Sequence, residues 1–196
     1  MALHNARSDP AIRVATCGLT TLDLIQYVDR LPGPDEKIQA QSARLEFGGP
    51  AANAAFAARA LGAQARLVTA LGDGSIGRAL AGELAGAGID AVDAGVDRTW
   101  QPPVSAVAVT GSHRSVVSVN AGSEPEVRWP VGTLNGCQAL LLDGHHLGLC
   151  LAAAREARSL GVPVLLDGGS WKSGLDHLIP LLDAAVISTD FRAPGA

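Results

Sequence analysis

The sequence predicts an α/β fold: a mostly parallel sheet with helices on both faces, plus a small β lid. Two observations carry that expectation. Short apolar strands alternate with helical segments along most of the chain, which is the pattern of a sheet buried on both sides. Four other segments alternate apolar and polar residues, so each would be wet on one face, and such strands do not belong inside a buried parallel sheet. A hydrophobic fraction of 47% in 196 residues is enough for one domain with a substantial core.

Taken in order, residues 12–18 form an apolar strand. Residues 25–31 alternate weakly, and Pro32-Gly33-Pro34-Asp35 is a turn. Residues 37–45 are extended, with Ile38 and Ala40 on one face and Lys37, Gln39 and Gln41 on the other. A helix of small residues runs from Pro50 to Leu61 and stops at Gly62, which takes the left-handed cap conformation at little cost. Residues 66–71 are a strand, and residues 76–87 a helix with Leu80 and Leu84 stacked one turn apart. Residues 104–110 and 115–120 read as a hairpin around Gly111-Ser112-His113. A strand over 139–143 ends in an acid, a helix over 147–160 ends at Gly161, and 162–167 repeats the strand-then-acid pattern. Residues 173–182 are helical with Pro180 near the end, and 184–188 is expected to be a last buried strand. Residues 1–11 are expected to be a disordered tail, and 12–196 one domain with lid segments at about 25–45 and 104–120.

Composition narrows the function. The net charge is −4 and no basic block occurs, so neither nucleic acid nor an acidic membrane is an expected partner. Cys17, Cys137 and Cys150 are odd in number and lie in or beside apolar runs, which suggests free thiols in a reducing compartment. Residues 1–11 have no apolar core for a signal peptide, and no run approaches the roughly 20 apolar residues of a membrane span. The expected location is the cytoplasm.

The chemistry centres on Phe47-Gly48-Gly49-Pro50-Ala51-Ala52-Asn53-Ala54-Ala55. Two glycines let a backbone turn sharply and approach a ligand closely. Pro50 is tolerated in a first helical turn, whose free N–H groups favour hydroxyl or anionic oxygens. Asn53 adds an amide, donor and acceptor both, and its alanine neighbours leave the space above it open. The stretch reads either as a floor for a small polar ligand or as an N-capped packing helix. Asp23 follows the first strand, while Asp143 and Asp167 close later ones. Ligands of open parallel sheets sit outside the carboxyl ends of strands, so these acids could share a crevice; ordinary strand-end capping is the other reading. His145 and His146 adjoin Asp143, but adjacent histidines do not usually converge on one ion and no third ligand is spaced for it, so no metal site is expected and the pair reads as a crevice rim. Lys172 reads as a phosphate contact or as part of a solvated loop.

A rival motif is Gly72-Asp73-Gly74-Ser75-Ile76-Gly77, a literal GxGxxG between a strand and a helix, with Asp97 about twenty residues on where a ribose-binding acid belongs. That would make an NAD(P)-binding oxidoreductase. Against it, residues 88–95 make a poor apolar strand, which leaves Asp97 without a strand end.

Gly48, Gly49, Ala51, Asn53, Ala55, Gly62 and Gly72 match in register the first signature of the pfkB, or ribokinase-like, family of carbohydrate kinases. The match extends upstream through residues 18–23 and 28–32 and downstream through Gly72-Asp73 and Gly77 to Gly88-Ile89-Asp90, so the chain resembles that family over residues 12–195. Leu142-Asp143-Gly144-His145 and Ile187-Ser188-Thr189-Asp190 are similar to the ketohexokinase and sulfofructose-kinase side. The resemblance implies a ribokinase-like fold and ATP-dependent phosphorylation of a small sugar, with Mg2+. It implies that Asp23, the Gly48-Gly49 turn and Asn53 bind sugar hydroxyls and that the lid pairs two copies into a homodimer; Asp143, reaching in from the central crevice, is expected as a third member of that site. The family's catalytic Asp sits in a Gly-x-Gly-Asp motif beyond the equivalent of Ser188, which this chain does not contain, and the usual Asn-x-x-Glu reads Ser188-Thr189-Asp190-Phe191. The expectation is therefore a truncated kinase with no catalytic residue of its own and the C-terminal part of the fold missing. A non-catalytic sugar-binding or interaction module is the alternative.

Overall fold

The computed structural model describes residues 12–119 and 124–195. The tail expected at 1–11 and Asn120 at the end of the expected hairpin lie outside them. The described chain runs β1 (Arg13–Cys17), β2 (Thr21–Tyr27), β3 (Ser42–Gly48), α1 (Pro50–Ala60), β4 (Gln64–Thr69), α2 (Ser75–Gly86), β5 (Asp90–Asp93), β6 (Val104–Thr110), β7 (His113–Ser118), β8 (Ala139–Leu142), α3 (Leu147–Leu160), β9 (Val164–Gly168), α4 (Leu175–Leu178) with a 3-10 turn at Ile179–Leu181, and β10 (Ala184–Ile187).

Two sheets form. Six parallel strands are ordered β10-β9-β8-β1-β4-β5, and four strands are ordered β3-β2-β6-β7. The central strands of the large sheet are buried on both faces, as their near-continuous apolar runs require. On one face α3 and α4 pack with Ala153, Ala154, Ala157, Leu149, Leu175 and Leu178 against Ala15, Cys17, Leu140, Leu142, Val164 and Leu166. On the other, α1 and α2 pack with Ala51, Ala52, Ala55, Leu80 and Leu84 against Ala65 and Leu67. Alanine on α1 brings that helix close to the sheet and fixes where its N-terminus lies.

Five elements differ from expectation. The first lid strand spans Thr21–Tyr27 rather than 25–31, and the second spans Ser42–Gly48 rather than 37–45. Their antiparallel register pairs Thr21 with Gly48 and Tyr27 with Ser42, so the ladder runs up to the glycine pair. Pro32 and Pro34 lack an N–H, and Asp35 takes φ 56°, which keeps the connecting loop out of the ladder. Residues 90–93 are a true edge strand, paired in parallel with β4. The helix expected over 173–182 stops at Leu178 and tightens into a 3-10 turn, because Pro180 cannot continue the hydrogen-bond ladder. β10 is not buried: it pairs with β9 alone, and Val186 is 73% and Ile187 58% exposed.

Cys17, Cys137 and Cys150 are buried free thiols, and burial pushes Cys17 up. Among the described residues no helix is long and apolar enough to cross a membrane.

Candidate functional site

The β1–β2 turn, the β3–α1 turn and the end of β8 meet, and Asp143 ties them together. Its buried carboxylate accepts from Leu19 N at 2.8 Å and Ala51 N at 3.1 Å on Oδ2, and from His145 N at 2.8 Å on Oδ1. Ala51 lies in the first turn of α1, whose own N-cap, Gly49, offers no side chain to cap it. A negative charge at a helix N-terminus satisfies a free N–H and is favoured by the helix dipole. The Asp143 side chain is fully enclosed, and these bonds hold the turns in place. Asp143 was expected as a third hydroxyl-binding group; in the fold three backbone amides donate to it. Thr20 Oγ1 hydrogen-bonds Thr69 Oγ1 at 3.0 Å and fastens the same turn to the end of β4.

Asp23 and the glycine pair are brought together above this anchor. Asp23 stands on β2 opposite Glu46, and its carboxylate lies against Gly48: a Cβ there would come within 2.7 Å of Asp23 Oδ2. Gly49 has φ 96°, and a Cβ would overlap the Leu19 carbonyl. Both glycines are therefore demanded by close approach. Thr21 Oγ1 donates to Asp23 Oδ1 at 3.1 Å, which orients the half-buried carboxylate and leaves Oδ2 without a partner among the described residues. Thr21 was not singled out in the sequence, although its i, i−2 spacing from Asp23 on a strand puts both on one face.

Asn53 lies one turn into α1, where its backbone N–H donates to Gly49 O at 2.9 Å. The helix is capped at Gly49, four positions earlier, so Asn53 is not the cap. Its side chain is exposed and makes no hydrogen bond with any described residue.

His145 and His146 flank the anchor. His145 Nδ1 is 3.3 Å from Asp143 Oδ1. His146 takes φ 52°, is 5% exposed, has no hydrogen-bond partner for either ring nitrogen among the described residues and stands edge-on to Trp100 at 6.0 Å. Burial holds its pKa down at about 4, against the opposing pull of Asp143. Lys172 Nζ reaches the Asp143 carbonyl at 3.5 Å and Ser170 O at 3.3 Å. Among the described residues no three His, Cys, Asp or Glu side chains converge for a metal.

The glycine-rich loop at 72–77 is closed by the chain's own groups. Asp93 accepts from Leu71 N at 3.0 Å, Gly72 N at 3.1 Å and Gly95 N at 3.0 Å, so amides that a pyrophosphate would use are taken by a carboxylate. Arg98 pairs with both Asp73 and Asp93 across the loop, and a Cβ at Gly72 would overlap the Trp100 carbonyl. Asp97 sits in an exposed turn, accepting from Thr99 N and Oγ1. The loop amides are thus occupied by Asp93, which ends β5, and Asp97 lies beyond that strand.

A family model described as "pfkB family carbohydrate kinase" matches residues 11–190. The ribokinase of Haemophilus influenzae is 27% identical over 173 residues, which cover 85% of this chain and 56% of that protein. A candidate ribokinase from Agrobacterium tumefaciens superposes with a TM-score of 0.78 at 23% identity, over 91% of this chain and 60% of that one. The Arabidopsis thaliana ribokinase complexed with ribose and ATP superposes with a TM-score of 0.71 at 20% identity, again over 91% and 60%. These structures share the ribokinase-like fold. The chain thus spans somewhat over half the length of the relatives it matches. On the family match across nearly its whole length, the chain belongs to the pfkB family of carbohydrate kinases.

Proposed function

We propose that this chain carries the sugar-binding part of a kinase that transfers a phosphoryl group from ATP, with Mg2+, to a hydroxyl of a small sugar or sugar derivative. The observation that carries the reading is the open Asp23 Oδ2 beside the Gly48–Gly49 turn, with the unpartnered Asn53 amide one helical turn away. An ionised carboxylate accepts from a hydroxyl, and an amide donates to one oxygen while accepting from another, so the pair suits vicinal hydroxyls. Thr21 orients Asp23. Asp143 is a positioning residue, acting through Leu19 and Ala51. The turn lets the sugar lie against the backbone. ATP and Mg2+ enter the proposal through the family, and none of the described residues is assigned to either.

The family match and the ribose-bound neighbour support the sugar class, and the likeness to ketohexokinase and sulfofructose kinase points the first assays toward ketoses. A coupled ADP-release assay across ketoses, aldoses and nucleosides, on a chain supplying the rest of the relatives' length, is expected to show turnover on at least one. No turnover on any would refute the kinase reading. Sugar binding without turnover would favour the non-catalytic module. The proposal includes a cytoplasmic location, consistent with the three free thiols, and a homodimer through the lid sheet.

A further inference from the structure

The amino ends of β1, β4 and β5, at the far end of the sheet from Asp23, surround a second feature. A cavity of about 220 Å³ is lined by Arg13, Arg59, Arg66, Gln64, Gly88 and Asp90. At about 30 Å³ per water in the liquid, it has room for about seven waters, or for a small ion with part of its hydration. Three guanidinium groups face it and one carboxylate.

The partners of the three arginines differ. Arg66 pairs with Asp90 at 2.6 Å and donates to Thr133 O at 2.7 Å. Among the described residues, the Arg13 guanidinium donates from Nε and Nη2 only to the neutral Gln64 Oε1, at 3.1 and 2.8 Å. Arg59 donates only to backbone carbonyls, Ala63 O at 2.9 Å and Ala87 O at 3.4 Å. Among the described residues neither Arg13 nor Arg59 has a carboxylate within ion-pair distance. Each guanidinium carries five N–H donors and uses two on the described residues, which leaves three apiece without a partner among them. Those existing bonds restrain both side chains, so less ordering is required when something binds. The chain is acidic as a whole, with net charge −4, so two uncompensated guanidinium groups on one cavity run against the overall field. Gly88 keeps the wall open, since a Cβ there would stand 3.0 Å from Arg59 Nη2.

We propose that this cavity is a binding site for a multivalent oxyanion of the phosphate class, held by Arg13 and Arg59 and assisted by Arg66. A tetrahedral oxyanion offers paired oxygens to each planar fork, the geometry in which arginine exceeds lysine. The ligand is free phosphate or the phosphate group of a small ester. The site is distinct from the proposed sugar site, since Arg13 and Gln64 open the strands whose other ends carry the turns that position Asp23.

The test is calorimetric titration of inorganic phosphate into the whole chain at constant ionic strength, with circular dichroism to verify folding. Saturable binding is expected, weakened about tenfold or more by the Arg13→Gln/Arg59→Gln pair and unchanged by Asp23→Asn. Asp90→Asn removes the one carboxylate and is expected to tighten binding, which a merely destabilised variant would not do. Stronger binding of a simple phosphate monoester than of inorganic phosphate would identify the ester as the source; equal or weaker binding would identify the free ion. No saturable binding up to tens of millimolar phosphate, or binding that is the same in the Arg13/Arg59, Asp90 and unaltered chains, would overturn the proposal.

Discussion

Asp23 and Asp143 are carboxylates at the same end of the sheet, and their partners set them to different tasks. Asp143 accepts from three backbone amides with its side chain enclosed, so Asp143→Ala leaves buried N–H groups unpaired. Each such group costs about 1–3 kcal/mol, and the variant is expected to lose about 3 kcal/mol or more in a denaturant titration. Asp23 is half-buried with one hydroxyl partner, and its replacement is expected to cost less than about 1 kcal/mol. His146 supplies a pH dependence. Its pKa of about 4 in the folded chain lies below the unfolded value of about 6.5, so between them the unfolded state binds the proton and the native state does not. Stability is therefore lost as pH falls from about 6.5 toward 4. The expected loss between pH 7.5 and pH 5 is about 2 kcal/mol. His146→Asn tolerates the left-handed backbone and is expected to flatten that slope; an unchanged slope would place the titration elsewhere. The neighbouring Asp143 and His145 act on His146 in opposite directions, Asp143 raising its pKa and His145 lowering it.

The elements show what was legible and what was not. The ends of α1 and α3 were readable because Gly62 and Gly161 mark them, and both glycines have positive φ in the structure. The turn at Gly48 and Gly49 was readable because two adjacent glycines before a Pro-started helix have few other uses. Asp143 was visible as a strand-end acid, but its hydrogen bond to Ala51, 92 residues away, depends on how β8 and α1 sit across β1, which no local pattern encodes. The lid strands were misplaced because alternation marks a half-wet strand without marking where its ladder ends. β10 was expected inside because Ala-Ala-Val-Ile is apolar, and apolarity alone does not say whether a strand has one neighbour or two. The lid carries its own prediction. Leu45, Leu24, Ala106 and Val117 form one row across β3, β2, β6 and β7, and its outer members, Leu45 and Val117, are 60% and 75% exposed. A row of this kind favours pairing with a second copy. Light scattering at micromolar concentration is expected to give a dimer that Leu45→Glu/Val117→Glu converts to monomer. A monomeric unaltered chain would remove the lid from the assembly.

At the scale of the molecule, one sheet organises two ends. Its carboxyl end gathers the turns that carry Asp23, the glycine pair and Asn53, and its amino end gathers three arginines. The chain spans 56% to 60% of the length of relatives that include a ribokinase bound to ribose and ATP, so sugar capture is the part of the proposed reaction it can be asked to perform alone. Asn53 gives the sharpest test, because its exposed amide has no partner among the described residues and it does not cap α1. The measurement is a calorimetric titration of a ketose and aldose panel into the unaltered chain and into Asn53→Ala, with the melting temperature of each recorded on the same samples. Binding of at least one sugar, weakened roughly tenfold or more by Asn53→Ala with the melting temperature unchanged, is the predicted result. A sugar affinity indifferent to Asn53, together with a drop in stability of about 1 kcal/mol, would contradict it and return Asn53 to a structural part in the helix.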